Sequence, residues 1–197
     1  MKVAVLLFDN FETLDVFGPV EIFGRLTDDY NVSFYSLLGG LIENRHGVSI
    51  LTKPLAVIEN GMDIFLIPGG YGTRVEVNNN ELIESIQQIS NLSRYVLTVC
   101  TGTALLAKTA LLDGRKAPSN KRAFDWVTTQ GPNVDWIRKA RWVVDDKYYT
   151  SSGVSAGMDM TLGFLQDMHG TAFARNMSHT IEYNWQENKE EDNFCIQ

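Results

Sequence analysis

The chain opens on Val3-Ala4-Val5-Leu6-Leu7-Phe8, an unbroken apolar run, and similar short runs of β-branched and aromatic residues recur at Val32 to Leu38, Ile64 to Ile67 and Tyr95 to Val99. Runs that are apolar at every position, not at alternate ones, predict strands covered on both faces, as in a parallel sheet between helices. Phe17 to Leu26, Asn79 to Leu92 and Thr101 to Leu112 instead space their apolar residues as helices do. Strands alternating with helices imply βαβ units and an α/β fold with a mostly parallel sheet. Arg45 to Leu51 reads as a short strand near an edge, and Trp142 to Val144 with Tyr148-Tyr149 as a hairpin around Asp145-Asp146-Lys147. Two further helices are expected, Val154 to about Leu165 and Phe173 to about Trp185, with Gly170 between them as a C-cap.

At 197 residues, the chain is expected to form a single domain over 1–197. A formal net charge of -7 argues against a nucleic-acid surface, which needs clustered cations. Part of that charge lies in the acidic tail Glu187 to Asp192. Cys100 falls inside an apolar pattern and Cys195 at an expected frayed end, so a disulfide between them is not expected. Neither a cleavage-site pattern nor a membrane-spanning apolar run is present. These features lead to the expectation of a cytoplasmic protein with no membrane partner.

In open α/β sheets, ligands bind beyond the carboxyl ends of the strands. Four loops fall there: Asp9 to Asp15, Pro68 to Gly72, Cys100-Thr101-Gly102, and Thr150 to Gly153. Cys100 lies between a buried strand and an apolar helix, as the nucleophile does in an elbow, with Gly102 two residues on. The glycine usual two residues before is Thr98 here, so the pattern is partial. A cysteine at a helix N-terminus is expected to have a lowered pKa; the alternative is a buried, inert thiol. Gly69 and Gly70, with the Thr101 amide, are candidates for an oxyanion hole, the alternative being a simple chain reversal. Asp15, flanked by Leu14, Val16 and Phe17, is expected to be desolvated and therefore to hold its proton into the range useful for transfer. Asp9 and Glu12 fit capping or solvated roles, Glu21 is a further acid on the same helix, and Ser152 is a candidate for substrate binding.

Taken together, Phe8 to Asp15 with Gly18-Pro19, Asp63 to Gly70, Val99-Cys100-Thr101-Gly102 and Ser152 to Asp159 resemble the ThiJ/PfpI superfamily over nearly the whole chain. The resemblance implies a flavodoxin-like three-layer sandwich, a homodimer, and a cysteine that interacts with an acid at the position of Asp15. The aspartate there and the Cys-Thr-Gly elbow are most similar to the isocyanide hydratase branch and to domains of some transcription regulators. No helix-turn-helix segment is read in this chain, which argues against DNA binding by that route. Protease-like and glyoxalase-like members place a histidine shortly after the elbow helix; here Arg115 to Arg122 has none, and His46, His169 and His179 lie elsewhere, read as surface or packing residues. The resemblance thus implies a lyase acting on a small-molecule isocyanide through Cys100, Asp15 and Thr101. A redox-responsive or small-molecule-sensing protein using an oxidisable Cys100 is the alternative, and an intracellular protease/amidase or a glyoxalase/deglycase a weaker one. No metal-ligand spacing and no phosphate loop is present, so no cofactor is expected.

Overall fold

The computed structural model describes residues 1–195. Ten strands form, β1 (Lys2–Leu6), β2 (Asn31–Ser36), β3 (Gly40–Glu43), β4 (Ser49–Pro54), β5 (Ile64–Ile67), β6 (Tyr95–Val99), β7 (Lys116–Ala117), β8 (Asp135–Trp136), β9 (Trp142–Asp145) and β10 (Tyr148–Ser151). Seven α-helices accompany them: α1 (Thr13–Gly24), α2 (Thr73–Glu76), α3 (Asn80–Leu92), α4 (Gly102–Lys108), α5 (Phe124–Thr128), α6 (Ala156–His169) and α7 (Thr171–Thr180). Eight strands make one sheet in the order β3-β4-β2-β1-β5-β6-β10-β9, and β7 pairs with β8 apart from it. The pairings from β4 through β10 are parallel; β3 and β9 run antiparallel at the two edges. This is the expected flavodoxin-like sandwich. Its strand order reverses between β1 and β5, so the loops after these two strands splay apart at the switch point where such folds bind ligands.

Burial explains why the central strands were legible. Every residue of β5 is buried, as are Val3 to Leu6 of β1 and Val96 to Val99 of β6. Helices α1 and α6 pack together on the sheet, and α3 packs with α4. Close approaches fix these contacts: a Cβ on Gly18 of α1 would stand 2.7 Å from Met158 Cγ of α6.

Three expectations need correction. The edge strand placed at Arg45 to Leu51 is a hairpin, β3 and β4, with residues 44–48 as its turn. Its exposed face, including Leu41 and Leu51, gives no continuous apolar run to read. Helix α4 stops at Lys108 rather than Leu112, and Ala110 beyond it takes a left-handed φ of 63°. Helix α7 ends at Thr180, so Tyr183 and Trp185 belong to a following segment that lies along α6, where the Trp185 indole donates to the Asp159 carbonyl at 3.1 Å.

The tail is not frayed. The amides of Arg141 and Trp142 donate to the Lys189 carbonyl at 2.8 and 3.3 Å, and the Asp192 amide donates to the Lys139 carbonyl at 2.9 Å. Asp192 is buried, and its carboxylate meets Arg141, whose guanidinium also binds buried Asp159 at 2.6 Å. Buried charges are stable only when paired in this way. The two cysteines are free, as expected.

A Cβ added to Gly157 would stand 2.7 Å from Val99 Cγ1, at the strand that carries the elbow. Gly157→Ala is expected to cost about 1–3 kcal/mol by overpacking. Combining it with Val99→Ala removes the clash, so urea midpoints of the four chains in the double-mutant cycle should show favourable coupling; strictly additive losses would refute the contact.

Candidate active site

β6 delivers Cys100 to a turn with φ of 59°, left-handed and costly for a non-glycine residue. The turn is held from several sides. The Cys100 amide donates to the Ser151 carbonyl at 3.2 Å, and the Ser119 hydroxyl donates to the Cys100 carbonyl at 2.7 Å. Gly102 follows because a Cβ there would collide with the carbonyls of Ile67 and Pro68.

The loop after β5 closes over this turn. A Cβ at Gly69 would lie 2.6 Å from the Thr101 nitrogen and 2.8 Å from Asp15 Oδ2, so only glycine lets the three loops converge. The Gly69 amide donates to Asp15 Oδ2 at 2.9 Å. The Gly70 amide donates to the Thr101 hydroxyl at 3.0 Å, and the Thr73 hydroxyl donates to the same oxygen at 3.1 Å.

Asp15 lies in the first turn of α1 and is wholly buried. Burial pushes its pKa up to about 8; the Gly69 amide opposes this, the charge of Glu12 adds to it, and the Cys100 thiol opposes it weakly. Because Oδ2 accepts from Gly69 while Oδ1 has no hydrogen-bond partner, Oδ1 is the natural seat of the proton. The expectation of a desolvated, proton-holding aspartate therefore agrees with the geometry.

The expectation for Cys100 does not. Burial pushes the thiol well above its ordinary value, and the charge of Asp15 adds to that once it is ionised; the amides of Thr101 and Val154, both directed at the sulfur, only partly oppose it. A helix of seven residues and two amides do not offset the loss of water around a cysteine that is 7% exposed. At neutral pH the free site therefore holds two protons, one on the carboxyl and one on the thiol.

The donors also differ from those expected. The amides of Gly69 and Gly70 are occupied by Asp15 and Thr101, so the pair facing the sulfur is Thr101 and Val154. The Thr101 hydroxyl ties the glycine loop to the elbow. Ser152 is fully buried, and its hydroxyl lies within hydrogen-bond reach of the Arg141 carbonyl, at 3.0 Å, and of the Asp192 carboxylate, so its single hydrogen is taken by one of these two acceptors. Val154, missed in the sequence, is a β-branched residue at φ 39°. Nothing in a valine announces that conformation, whereas Ser119 lies in the stretch where a histidine was sought.

No histidine is among the groups acting on Cys100. His169 pairs with the Tyr30 hydroxyl at 2.7 Å. His46, on the β3–β4 turn, reaches the Thr13 hydroxyl at 2.7 Å, closer to the site than an edge position implied. Glu21 pairs with Arg25 on the surface. Among the described residues no cluster of His, Cys, Asp and Glu could hold a metal ion, and no helix is long and apolar enough to cross a membrane.

The raised pKa of Asp15 has a consequence for stability. The unfolded chain releases this proton near 3.8 and the folded chain near 8. Between those values the folded state binds more protons, so this group's contribution to stability falls as pH rises, by up to about 1.4 kcal/mol per pH unit. Asp15→Asn removes the dependence while its amide oxygen still accepts from Gly69. Urea midpoints should show the variant gaining on the parent from pH 5 to pH 8 and levelling off above; a constant difference across that window would contradict a proton-holding Asp15.

Comparison with known proteins places this site in a family. The chain is 27% identical over 185 residues to isonitrile hydratase of Pseudomonas putida, covering 93% of this chain and 78% of that one. It is 27% identical over 191 residues to the HTH-type transcriptional regulator GbdR of Pseudomonas aeruginosa, spanning 92% of this chain and half of the regulator. Among solved structures, a ThiJ/PfpI family protein from Pseudomonas syringae superposes with a TM-score of 0.84 at 24% identity, over 93% of this chain and 75% of that one. Drosophila melanogaster DJ-1beta does so with a TM-score of 0.79 at 17% identity, over 93% and 98%. These two likenesses establish the fold, and the family model matching residues 1–167 settles the membership: the chain belongs to the DJ-1/PfpI family.

Proposed function

We propose that the protein is a cysteine-dependent lyase that hydrates an isocyanide to an N-substituted formamide. The observation that carries this reading is the buried Asp15 carboxyl, held by the Gly69 amide, acting on the buried Cys100 thiol, with both groups shifted toward their protonated forms by burial and no histidine among the groups acting on the sulfur. The 27% identity to isonitrile hydratase supports it.

Sulfur attacks the terminal carbon of R–NC and a proton arrives on that same carbon, giving the thioimidate R–N=CH–S–Cys100. Net addition of S–H across one carbon needs an acid and an acceptor at the same place. Asp15 supplies both: Oδ1 gives its proton to the carbon, and the resulting carboxylate takes the thiol proton. Water then adds to the C=N carbon, the C–S bond breaks, and the formamide R–NH–CHO leaves with Cys100 again a thiol. The amides of Thr101 and Val154 stabilise negative charge on sulfur during attack and departure. A Cys-His pair, by contrast, rests as thiolate and imidazolium and suits acyl transfer; its absence weighs against the amidase and glyoxalase readings. Because thiolate is the species that peroxide oxidises, the raised thiol pKa weighs against an oxidant sensor.

Alkyl and aryl isocyanides incubated with the protein should yield formamide, with turnover falling at least about 10³-fold in Cys100→Ala and about 10²-fold or more in Asp15→Asn. Absence of formamide from the folded parent across the panel would sink the proposal. Methylglyoxal, run in parallel, should not be consumed.

A homodimer is part of this reading. Leu14 and Phe17, which are 38% and 36% exposed, lie beside the site and would be covered by a second copy. Light scattering should return twice the mass of the chain; a monomeric mass at micromolar concentration would count against it.

A further inference from the structure

A cavity of about 550 Å³ is lined in part by Val154, the residue whose amide acts on the Cys100 sulfur. Its lining comes from residues 120–122, Arg138, residues 153–155 and residues 192–195 of the anchored tail. Its charge opposes that of the molecule. Among the described lining residues, Lys121, Arg122 and Arg138 stand with one carboxylate, Asp192, on a chain of formal net charge -7.

The charges around the cavity are not equally free. Asp192 is held by Arg141 and Ser152. Lys121 donates to the Ala140 carbonyl at 2.6 Å and lies 3.7 Å from Asp192. Arg138 pairs with Asp125 and stacks 4.3 Å over the Phe124 ring. Arg122 alone of the three has neither a carboxylate nor an aromatic partner among the described residues. Val154 and Phe194 add exposed apolar surface to the same cavity. Apolar surface and a guanidinium unpaired among the described residues, in one cavity, fit a ligand with an apolar stem and an anionic end, because a guanidinium binds a carboxylate through two parallel hydrogen bonds.

We propose that this cavity receives the substituent of the substrate and that Arg122 binds a carboxylate at its far end, so that the preferred substrate is a carboxylate-bearing isocyanide. The inference rests on the reading of Cys100 as the reactive centre. Lys121 and Asn120 flank the carboxylate, and Arg122 acts in binding rather than in the chemistry.

The test uses the full chain with Cys195→Ser, so that only Cys100 alkylates. Two iodoacetamides with a terminal carboxylate, on three-carbon and six-carbon tethers, are compared with their terminal amides by peptide-resolved mass spectrometry at pH 7. For at least one tether, the acid-to-amide rate ratio should exceed that of N-acetylcysteine. It should fall about five- to tenfold in Arg122→Gln, the loss expected when a charge-assisted contact is removed, and recover in part in Arg122→Lys. An equal ratio in parent and Arg122→Gln for both tethers, with unchanged thermal midpoints, would overturn the proposal. So would failure of Cys100 to alkylate with any probe even at pH 9, since the cavity would then not lead to the sulfur. A second arm measures KM for isocyanoacetate and its methyl ester. Charge-dependent alkylation without isocyanide turnover removes the hydratase reading and leaves the anion site; turnover of both isocyanides with no response to Arg122 removes the anion site and leaves the hydratase.

Discussion

The site depends on one contact, the Gly69 amide donating to the buried carboxyl of Asp15. Withdrawing a carboxyl wholly from water costs several kcal/mol if it stays ionised, so it responds by keeping its proton. The contact fixes which oxygen carries that proton, because the oxygen that accepts from Gly69 leaves the other as the donor. It also fixes the loops. Gly69 reaches Asp15 only because it has no Cβ to meet Thr101, and the Thr101 hydroxyl in turn holds Gly70. First helix, glycine loop and elbow are therefore one packed unit, and none can shift without exposing the carboxyl.

That unit holds two strained residues. Cys100 and Val154 both take left-handed backbone conformations, each costing of order 1–3 kcal/mol. They persist because their surroundings overdetermine them: Cys100 is bonded through its amide and its carbonyl, and the turn carrying Val154 is closed by the Ala156 amide on the Gly153 carbonyl at 2.8 Å. The result is two amides aimed at one sulfur from different loops. Such donors require no reorganisation when charge develops on that atom, which is how fixed dipoles stabilise a transition state better than water does.

What the sequence disclosed follows from which constraints are local. β1, β5 and β6 are buried on both faces, so each is an apolar run, and the elbow and the Pro-Gly-Gly turn are contiguous motifs. Asp15 among apolar neighbours was enough to predict its direction of titration. The β3–β4 hairpin was blurred because its exposed apolar residues carry no face periodicity. The sign of the Cys100 shift is not legible because a helix N-terminus is visible in a sequence, whereas the burial opposing it comes from loops distant in the chain, those carrying Asp15, Gly69 and Val154. Ser152 and Asp192 meet across a separation of 40 residues, so neither the occupied hydroxyl nor the anchored tail could be read locally.

The proton count distinguishes this site from other cysteine sites more sharply than the identity of its residues does. A thiolate partnered by a cation is poised to attack a carbonyl, where the proton is needed later and on a different atom, the leaving group. Addition to an isocyanide has the opposite demand, since the atom that accepts sulfur also accepts the proton and no group leaves in that step. A neutral carboxylic acid against a neutral thiol is matched to that demand. Placing a permanent cation beside Cys100 would stabilise thiolate but would remove the proton that the carbon requires. On the proposed reading, the missing histidine is therefore a requirement of the chemistry, and the buried Ser119 hydroxyl that bonds the Cys100 carbonyl from the same stretch supports the elbow without changing its charge.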